Sequence, residues 1–303
     1  MSAHYSTIQG LFVQEDPNVV PSVVGALPPR FGLLDESPER WHNLCSKLKQ
    51  LNDRIEEEDG LESHYKLFFL GRHGQGYHNV AEAKYGTEAW DDYWSKLNGD
   101  EELTWGPDPL LTPLGQTQGE EARVTWKEEL QYGIPVPDRF LSSPLKRALD
   151  TWTATFGKDG EGEVVDKGKK KVLILEDCRE EYGIHTCDRR LTLSALTKIY
   201  TEPTYTFEPH FSEEDPLWDP DVRETKSHIA QRARAVLDFA FESRETSIVV
   251  SITAHGGFIN GFLSAVGRPI YALPTGGVLP VVVKCTRPKS DPHSNSKVSS
   301  LEY

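Results

Sequence analysis

Short, nearly unbroken apolar runs alternate along the chain with longer stretches whose apolar residues recur every three or four positions. "YKLFFLG" (65–71), "RFLSSP" (139–144), "VLILED" (172–177) and "TSIVVSITAHGG" (246–257) are of the first kind and predict strands buried on both faces. "GVLPVVVKC" (277–285) predicts a fifth; its Pro280, with no N–H to give a neighbour, predicts an edge position or a strand starting there. Helical spacing is clearest in "SPERWHNLCSKLKQLNDRIEEE", where Trp41, Leu44, Leu48, Leu51 and Ile55 share one face, Ser37 is the expected N-cap and Pro38 the first helical residue. Further helices are predicted over 111–131, entered at Thr112 with Pro113 first, and over 145–156, 223–243 and 258–267. The polar, glycine-rich "GKDGEGEVVDKGKKK" (157–171) predicts a surface loop. Pro17, Pro21, Pro28 and Pro29 predict an irregular N-terminal arm, followed by the first helix and packed on a single domain, and 286–303 predicts an unstructured tail.

Strands alternating with helices predict an α/β fold, a three-layer αβα sandwich around a mostly parallel central sheet. Ligands of such sheets bind just beyond the carboxyl ends of the strands. Three of the predicted strands end in chemistry there: Arg72-His73 inside "GRHGQG", Ser142-Ser143-Pro144, and His255-Gly256-Gly257.

A neutral imidazole at a strand end is a good phosphorus nucleophile when its tautomer is fixed and donors hold the phosphoryl oxygens. Taken alone, His73 could equally be a buried structural ring. Gly71, Gly74 and Gly76 would let the backbone approach a ligand. Arg72, and Arg147 in the first turn of its helix, supply guanidinium forks that suit phosphate oxygens, although an isolated Arg147 reads more simply as a solvated helix residue. His255 repeats the setting of His73; if both touch one phosphate, one attacks while the other, protonated, balances charge, which requires their pKa values to be pushed apart. In "LEDCREEYGIHTCDRR", Glu180 and Glu181 follow the third strand, and a carboxylic acid beside bound phosphate is kept protonated by the like charge. Two surface glutamates are the plainer alternative. Cys187, Asp188, Arg189 and Arg190 could line the same mouth.

Charge narrows the classes. The 303 residues carry 47 acidic and 33 basic side chains, a formal charge of −14, which opposes nucleic-acid binding even though "GRHG" fits a GxxG clamp. Arginines gathered in one cleft of such a chain point instead to a small anionic ligand. "GRHGQG" does not have the glycine spacing of a dinucleotide fingerprint. His73 and His78 are five apart, not the four that pairs ligands on a helix face, so no metal is expected. Cys45, Cys178, Cys187 and Cys285 form no CxxC pair, no apolar run approaches the roughly 18–20 residues of a membrane span, and the N-terminus has no secretory pattern. A cytoplasmic protein, with the nucleus also open, is the expectation, without membrane partner or cofactor; no oligomeric state follows.

Taken together, "LGRHGQGYHN", "LTPLGQTQGEEA", "FLSSPLKRALDT", "CREEYG" and "ITAHGG", in this order over about residues 66–267, resemble the histidine phosphatase superfamily, the phosphoglycerate-mutase-like group. "WHNLCSKLKQLN", "GIHTCDRR" and "DPLWDPDVRET" resemble its fungal phosphomutase-like branch. The resemblance implies that His73 carries the phosphoryl group, that Arg72, Arg147, His255 and Asn79 contact it, and that Glu180 is the proton donor. Gly256, Gln75 and Arg190 are further expected substrate contacts. Glu180 lies three residues before Gly183 where the family commonly has four; the "RE" pair with Arg179 favours it over Glu181. Gln75 replaces the glutamate usual in the mutases, which favours a phosphatase for small-molecule phosphate monoesters. A phosphomutase, or a catalytically silent binding protein on the same scaffold, is the alternative. Specificity is expected from 84–110 and 184–218, where "WDDYWSKLNGDEELTW" offers aromatic walls.

Overall fold

The computed structural model describes residues 3–53, 60–157, 163–169, 171–242 and 248–288. Its strands are β1 (His4–Thr7), β2 (Leu61–Arg72), β3 (Arg139–Ser142), β4 (Val172–Ile174), β5 (Tyr205–Phe207), β6 (Val249–Ala254) and β7 (Val278–Pro288). They form one sheet in the order β1-β7-β2-β6-β3-β4-β5, parallel from β2 to β5 and antiparallel where β7 joins β2 and β1. The helices are α1 (Pro21–Val24), α2 (Arg40–Asp53), α3 (Tyr77–Tyr85), α4 (Thr87–Asp92), α5 (Pro113–Leu130), α6 (Lys146–Trp152), α7 (Leu193–Ile199), α8 (Lys226–Glu242) and α9 (Gly256–Ala265).

The unbroken apolar run of β2 is explained by two cores. Phe68 and Leu70 face α8 and α9 together with Val250, Ile252, Leu237 and Phe262. Leu67 and Phe69 face the other way, against Trp41, Leu44 and Leu48 of α2 and Trp126 of α5. Each face thus has its own helical layer, the expected αβα sandwich. Among the described residues no helix is long and apolar enough to cross a membrane.

Several boundaries differ from expectation for physical reasons. The N-terminal arm is not wholly irregular: β1 pairs residue by residue with β7, and Phe12 and Phe31 are buried in the α2-side core. β7 is therefore not an edge strand, but β1 covers only its Val283–Thr286 end, so Pro280, paired with Phe69 on one side, meets no ladder on the other. β7 also runs to Pro288, three residues into the expected tail; 289–303 lie outside the described residues. α2 starts at Arg40, after a turn closed by Arg40 N–H donating to Ser37 O at 3.2 Å, and Ile55 lies outside the described residues. Residues 158–162 and 170 of the expected loop also lie outside them. Thr112 caps α5 as expected, its Oγ1 accepting from Gly115 N–H at 3.1 Å.

Within "GRHGQG", Gly74 is required by a close backbone approach inside the protein. A Cβ on Gly74 would overlap the carbonyl of Gly115, and one on Gly115 would overlap the carbonyl of Gln75. The loop after β2 crosses the first turn of α5 backbone against backbone, and Gly74 N–H donates to Thr151 Oγ1 at 2.9 Å behind it. The Gly115→Ala variant should therefore lose about 1–3 kcal/mol of unfolding free energy, the usual effect of overpacking, read by urea denaturation; unchanged stability would mean that the crossing is loose.

Candidate active site

Register decides which side chains meet. β6 lies between β2 and β3, with Arg72 opposite Ala254 and Ser142 opposite Thr253. The chain leaves all three strands at the same level: His73 N–H donates to Ala254 O and Ser143 N–H to Thr253 O, both at 3.0 Å. His73, Ser143 and His255 are thereby neighbours, with the two imidazole centroids 5.0 Å apart and that of His78, from α3, 5.3 Å from His73. Arg147, in the first turn of α6, is fully buried behind them.

Of these, His73, His78 and Arg147, with Arg72, form the floor of a cavity of about 520 Å³, lined further by Asn79, Glu82, Trp90, Asp91, Lys96, Glu180, Glu181, His185, Cys187, Asp188, Arg223, Lys226 and Gly257, while Ser143 and His255 are fully buried next to it and do not line it. The floor is dry and cationic. Arg147 Nη1 donates to Cys187 O at 2.7 Å and Nη2 to Asp188 Oδ1 at 2.8 Å; Arg72 Nη1 donates to Leu273 O at 2.8 Å. Arg72 Nε, Arg147 Nε, His78 Nδ1 and His255 Nδ1 are all buried without a hydrogen-bond partner. Four unsatisfied polar nitrogens around one cavity are what an anion with several oxygens would satisfy, since leaving such groups unpaired costs about 1–3 kcal/mol each.

Hydrogen bonding assigns the tautomers. His73 Nδ1 lies 2.7 Å from Gly74 O, which can only accept, so Nδ1 carries the proton and Nε2 keeps its lone pair. His255 Nε2 lies 2.7 Å from Ser143 Oγ, which already accepts from Leu145 N–H at 3.3 Å. The Ser143 hydroxyl can give to or accept from Nε2, and Nδ1 of His255 has no partner.

The two histidines differ from expectation in one respect. Burial, reinforced by Arg147 and Arg72, pushes His73 well below the ordinary imidazole pKa, and the same causes push His78 and His255 down as well, with His73 and His185 adding at His78 and His73 and His78 adding at His255. All three rings are shifted in the same direction; His73 is distinguished by its Nδ1–H on Gly74 O, which leaves Nε2 with the lone pair. Because depressed imidazoles gain charge only below their ordinary range, the 15N resonances of all three should remain those of neutral rings through pH 6.5, with His73 in its Nδ1–H form. A titration midpoint of His73 at or above 6.5 would contradict this.

Glu180 and Glu181 separate in space. Glu180 Oε2 accepts from Gly257 N–H in the first turn of α9 at 3.1 Å, and Oε1 from Glu181 N–H at 2.9 Å. Glu181 turns to the rim, where it pairs with Lys226 and lies 3.4 Å from Arg223 Nε. Only Glu180 is held beside the helix that His255 caps. A Cβ on Gly257 would overlap Glu180 Oε1, so Gly257→Ala should push the carboxylate away and lower kcat/KM by about 10–100-fold, part of what a general acid contributes, while leaving the melting temperature nearly unchanged. Wild-type turnover in that variant would show that the position of Glu180 does not matter.

Three expected contacts need correction. Gln75 is not in the cavity: its Oε1 accepts from Thr112 Oγ1 at 2.8 Å, which ties the loop to the α5 cap. Arg190 is buried elsewhere, its guanidinium spent on Glu176 and on the carbonyls of Leu191, Ser212, Glu213 and Glu214. Gly256 does not line the cavity; it packs under Arg72, whose guanidinium a Cβ there would touch at 3.6 Å, and Gly257 is the lining glycine. Of the aromatic segment, Trp105 is core and Trp90 borders the cavity. His78, His185, Arg223 and Lys226 were not singled out as site residues in sequence, because none stands at a strand end. His185, Cys187 and Asp188 offer ligand atoms within 4.8 Å of one another. They suit a metal poorly: both Asp188 oxygens are taken by Arg147 and Arg223, and burial pushes the Cys187 thiol well up, away from the thiolate a metal needs.

Comparison with known proteins places the chain in a family. The sequence profile of the Histidine phosphatase superfamily (branch 1) matches residues 68–280. A probable phosphoglycerate mutase of Arthroderma benhamiae is 42% identical over 288 residues, covering 92% of this chain and 84% of that one. Phosphomutase-like protein 3 of Candida albicans is 34% identical over 279 residues, covering 92% and 79%. Among solved structures, the ecdysone phosphate phosphatase of Bombix mori, in complex with tungstate, aligns at 15% identity and a TM-score of 0.45 over 78% of this chain and 98% of that one.

Proposed function

We propose, for a chain that belongs to the histidine phosphatase superfamily, that it hydrolyses small-molecule phosphate monoesters through a phosphohistidine on His73. The observation that carries this reading is the state of His73: neutral, protonated on Nδ1, buried, and set among donors that lack partners. Nε2 attacks phosphorus, the N–P bond forms and the bond to the leaving oxygen breaks. Arg72, Arg147, His255 and Asn79 hold the three equatorial oxygens, on which negative charge accumulates. Glu180, entering as the carboxylic acid, gives its proton to the departing alkoxide. Water then attacks phosphorus as Glu180, now carboxylate, takes its proton; the N–P bond breaks and inorganic phosphate leaves. Arg72 and Arg147 supply the positive charge a metal provides in other phosphatases, so the reaction as proposed needs none.

The rim favours hydrolysis over transfer to a second hydroxyl. A mutase must retain a doubly phosphorylated intermediate, which calls for cations throughout. Here Glu82, Asp91 and Glu181 stand among Lys96, Arg223 and Lys226, and Glu181 pairs with both Arg223 and Lys226. A second phosphate would meet carboxylates at the rim and be released.

The test is hydrolysis of p-nitrophenyl phosphate with EDTA present throughout. Wild-type protein should turn over, and His73→Ala should fall by about 10³-fold or more, as loss of a nucleophile does. Turnover that survives the substitution would refute the nucleophile, and an inert wild type would refute hydrolysis and favour phosphoryl transfer to a second hydroxyl.

A further inference from the structure

We propose that Arg223 is a positioning residue that sets the spacing between the proton donor and the anion-binding floor; the inference rests on Glu180 being that donor. Arg223 lies in "DPLWDPDVRET", just before α8. Its Nη1 donates to Gly183 O at 2.7 Å and to Asp188 Oδ2 at 2.9 Å, and its Nε lies 3.4 Å from Glu181 Oε1. Gly183 and Glu181 belong to the turn that carries Glu180, and the N–H of Glu181 itself holds the Glu180 carboxylate. Asp188, through its other oxygen, holds Arg147. One guanidinium therefore ties the acid's turn on one side to the carboxylate that anchors the floor on the other.

The backbone around it is built for a fixed distance. Ile184 N–H donates to Asp219 O at 2.7 Å and Glu224 N–H to Tyr182 O at 3.0 Å, so the Arg223 segment lies along the turn. Gly183, with φ of +85°, permits that approach; a Cβ there would overlap Val222 O. Other groups do less. Lys226 also reaches Glu181, but its side chain is 79% exposed, and such surface pairs contribute about 0–1 kcal/mol. Arg232 donates to Glu180 O at 3.2 Å, but its carboxylate partner is Glu224, not Asp188, so it steadies the turn without linking it to the floor. The bridge requires arginine: a lysine ammonium is a single point that cannot reach a carbonyl and two carboxylates in the same fork.

Leaving-group dependence separates this role from general support of the fold. Protonation matters for an alkyl phosphate, whose alkoxide is a poor leaving group, and hardly for 2,4-dinitrophenyl phosphate, whose phenolate leaves unaided. kcat/KM would be measured for both substrates in wild type, Arg223→Gln, Arg223→Lys and Glu180→Gln. kcat/KM reports only steps up to transfer onto His73. Arg223→Gln should lose about 10–100-fold on the alkyl phosphate, within the range of general-acid catalysis, and several-fold at most on the dinitrophenyl ester; Arg223→Lys, which keeps the charge, should show the same selectivity in weaker form. An equal fall on both substrates, or no fall, overturns the proposal, and a selective Glu180→Gln would then leave the acid assignment standing. A Glu180→Gln variant without selectivity removes the acid assignment and the proposal with it.

Discussion

Asp188 is a buried carboxylate between two arginines, and the site depends on it. Burial alone would push its pKa up, but Arg223 and Arg147 outweigh burial and hold it below the ordinary carboxylate range, so it remains charged. With it in place Arg147 can be wholly buried and still present Nε without a protein partner. Without it a guanidinium would be stranded in a dry interior, a loss of about 3–5 kcal/mol when one partner of a buried pair is removed. Cys187 and Asp188 sit in a short turn far from α6 in sequence, and their joint grip on Arg147 converts an ordinary helix residue into part of an anion site.

Burial first, and then the fixed positive charge of the floor, explains the histidines. An imidazole beside two guanidinium groups stays neutral, and only a neutral imidazole is a nucleophile. In the proposed reaction, the same field that draws a phosphate would keep His73 neutral for attack. The remaining selectivity is geometric: Gly74 O holds the proton of His73 on Nδ1, so its Nε2 keeps the lone pair, on a ring whose centroid is 5.0 Å from that of His255. The chain as a whole is strongly acidic, so this pocket of positive charge is local, and acids at the rim confine it further.

The central features were legible in sequence because they follow from local rules. Continuous apolar runs marked β2, β3, β4 and β6, and a parallel sheet brings the residues after such strands to one edge, which is why His73, Arg147 and His255 could be grouped from one chain. What was not legible depended on long-range pairing. β1 is four residues of unremarkable polarity, recognisable only by its register on β7. Gln75 and Arg190 are polar residues near the motifs whose partners are protein groups, a distinction that burial alone reveals. Arg223 reaches the site from a segment without periodicity, through a carboxylate and a carbonyl more than thirty positions away. In sequence the preference for Glu180 over Glu181 rests on the "RE" pair; what the structure adds is that Gly257 N–H holds Glu180 while Glu181 turns to the rim.

The central claim is a covalent bond between phosphorus and His73, and trapping it is the most direct measurement. Enzyme mixed for milliseconds with a 32P-labelled monoester and quenched in alkaline detergent should retain label on the protein, stable to base and lost in acid, as expected of a phosphoramidate. Peptide mapping should place that label on His73, and His73→Ala should retain none. Product formation without labelled protein in the pre-steady state, or label on any other residue, would contradict the account.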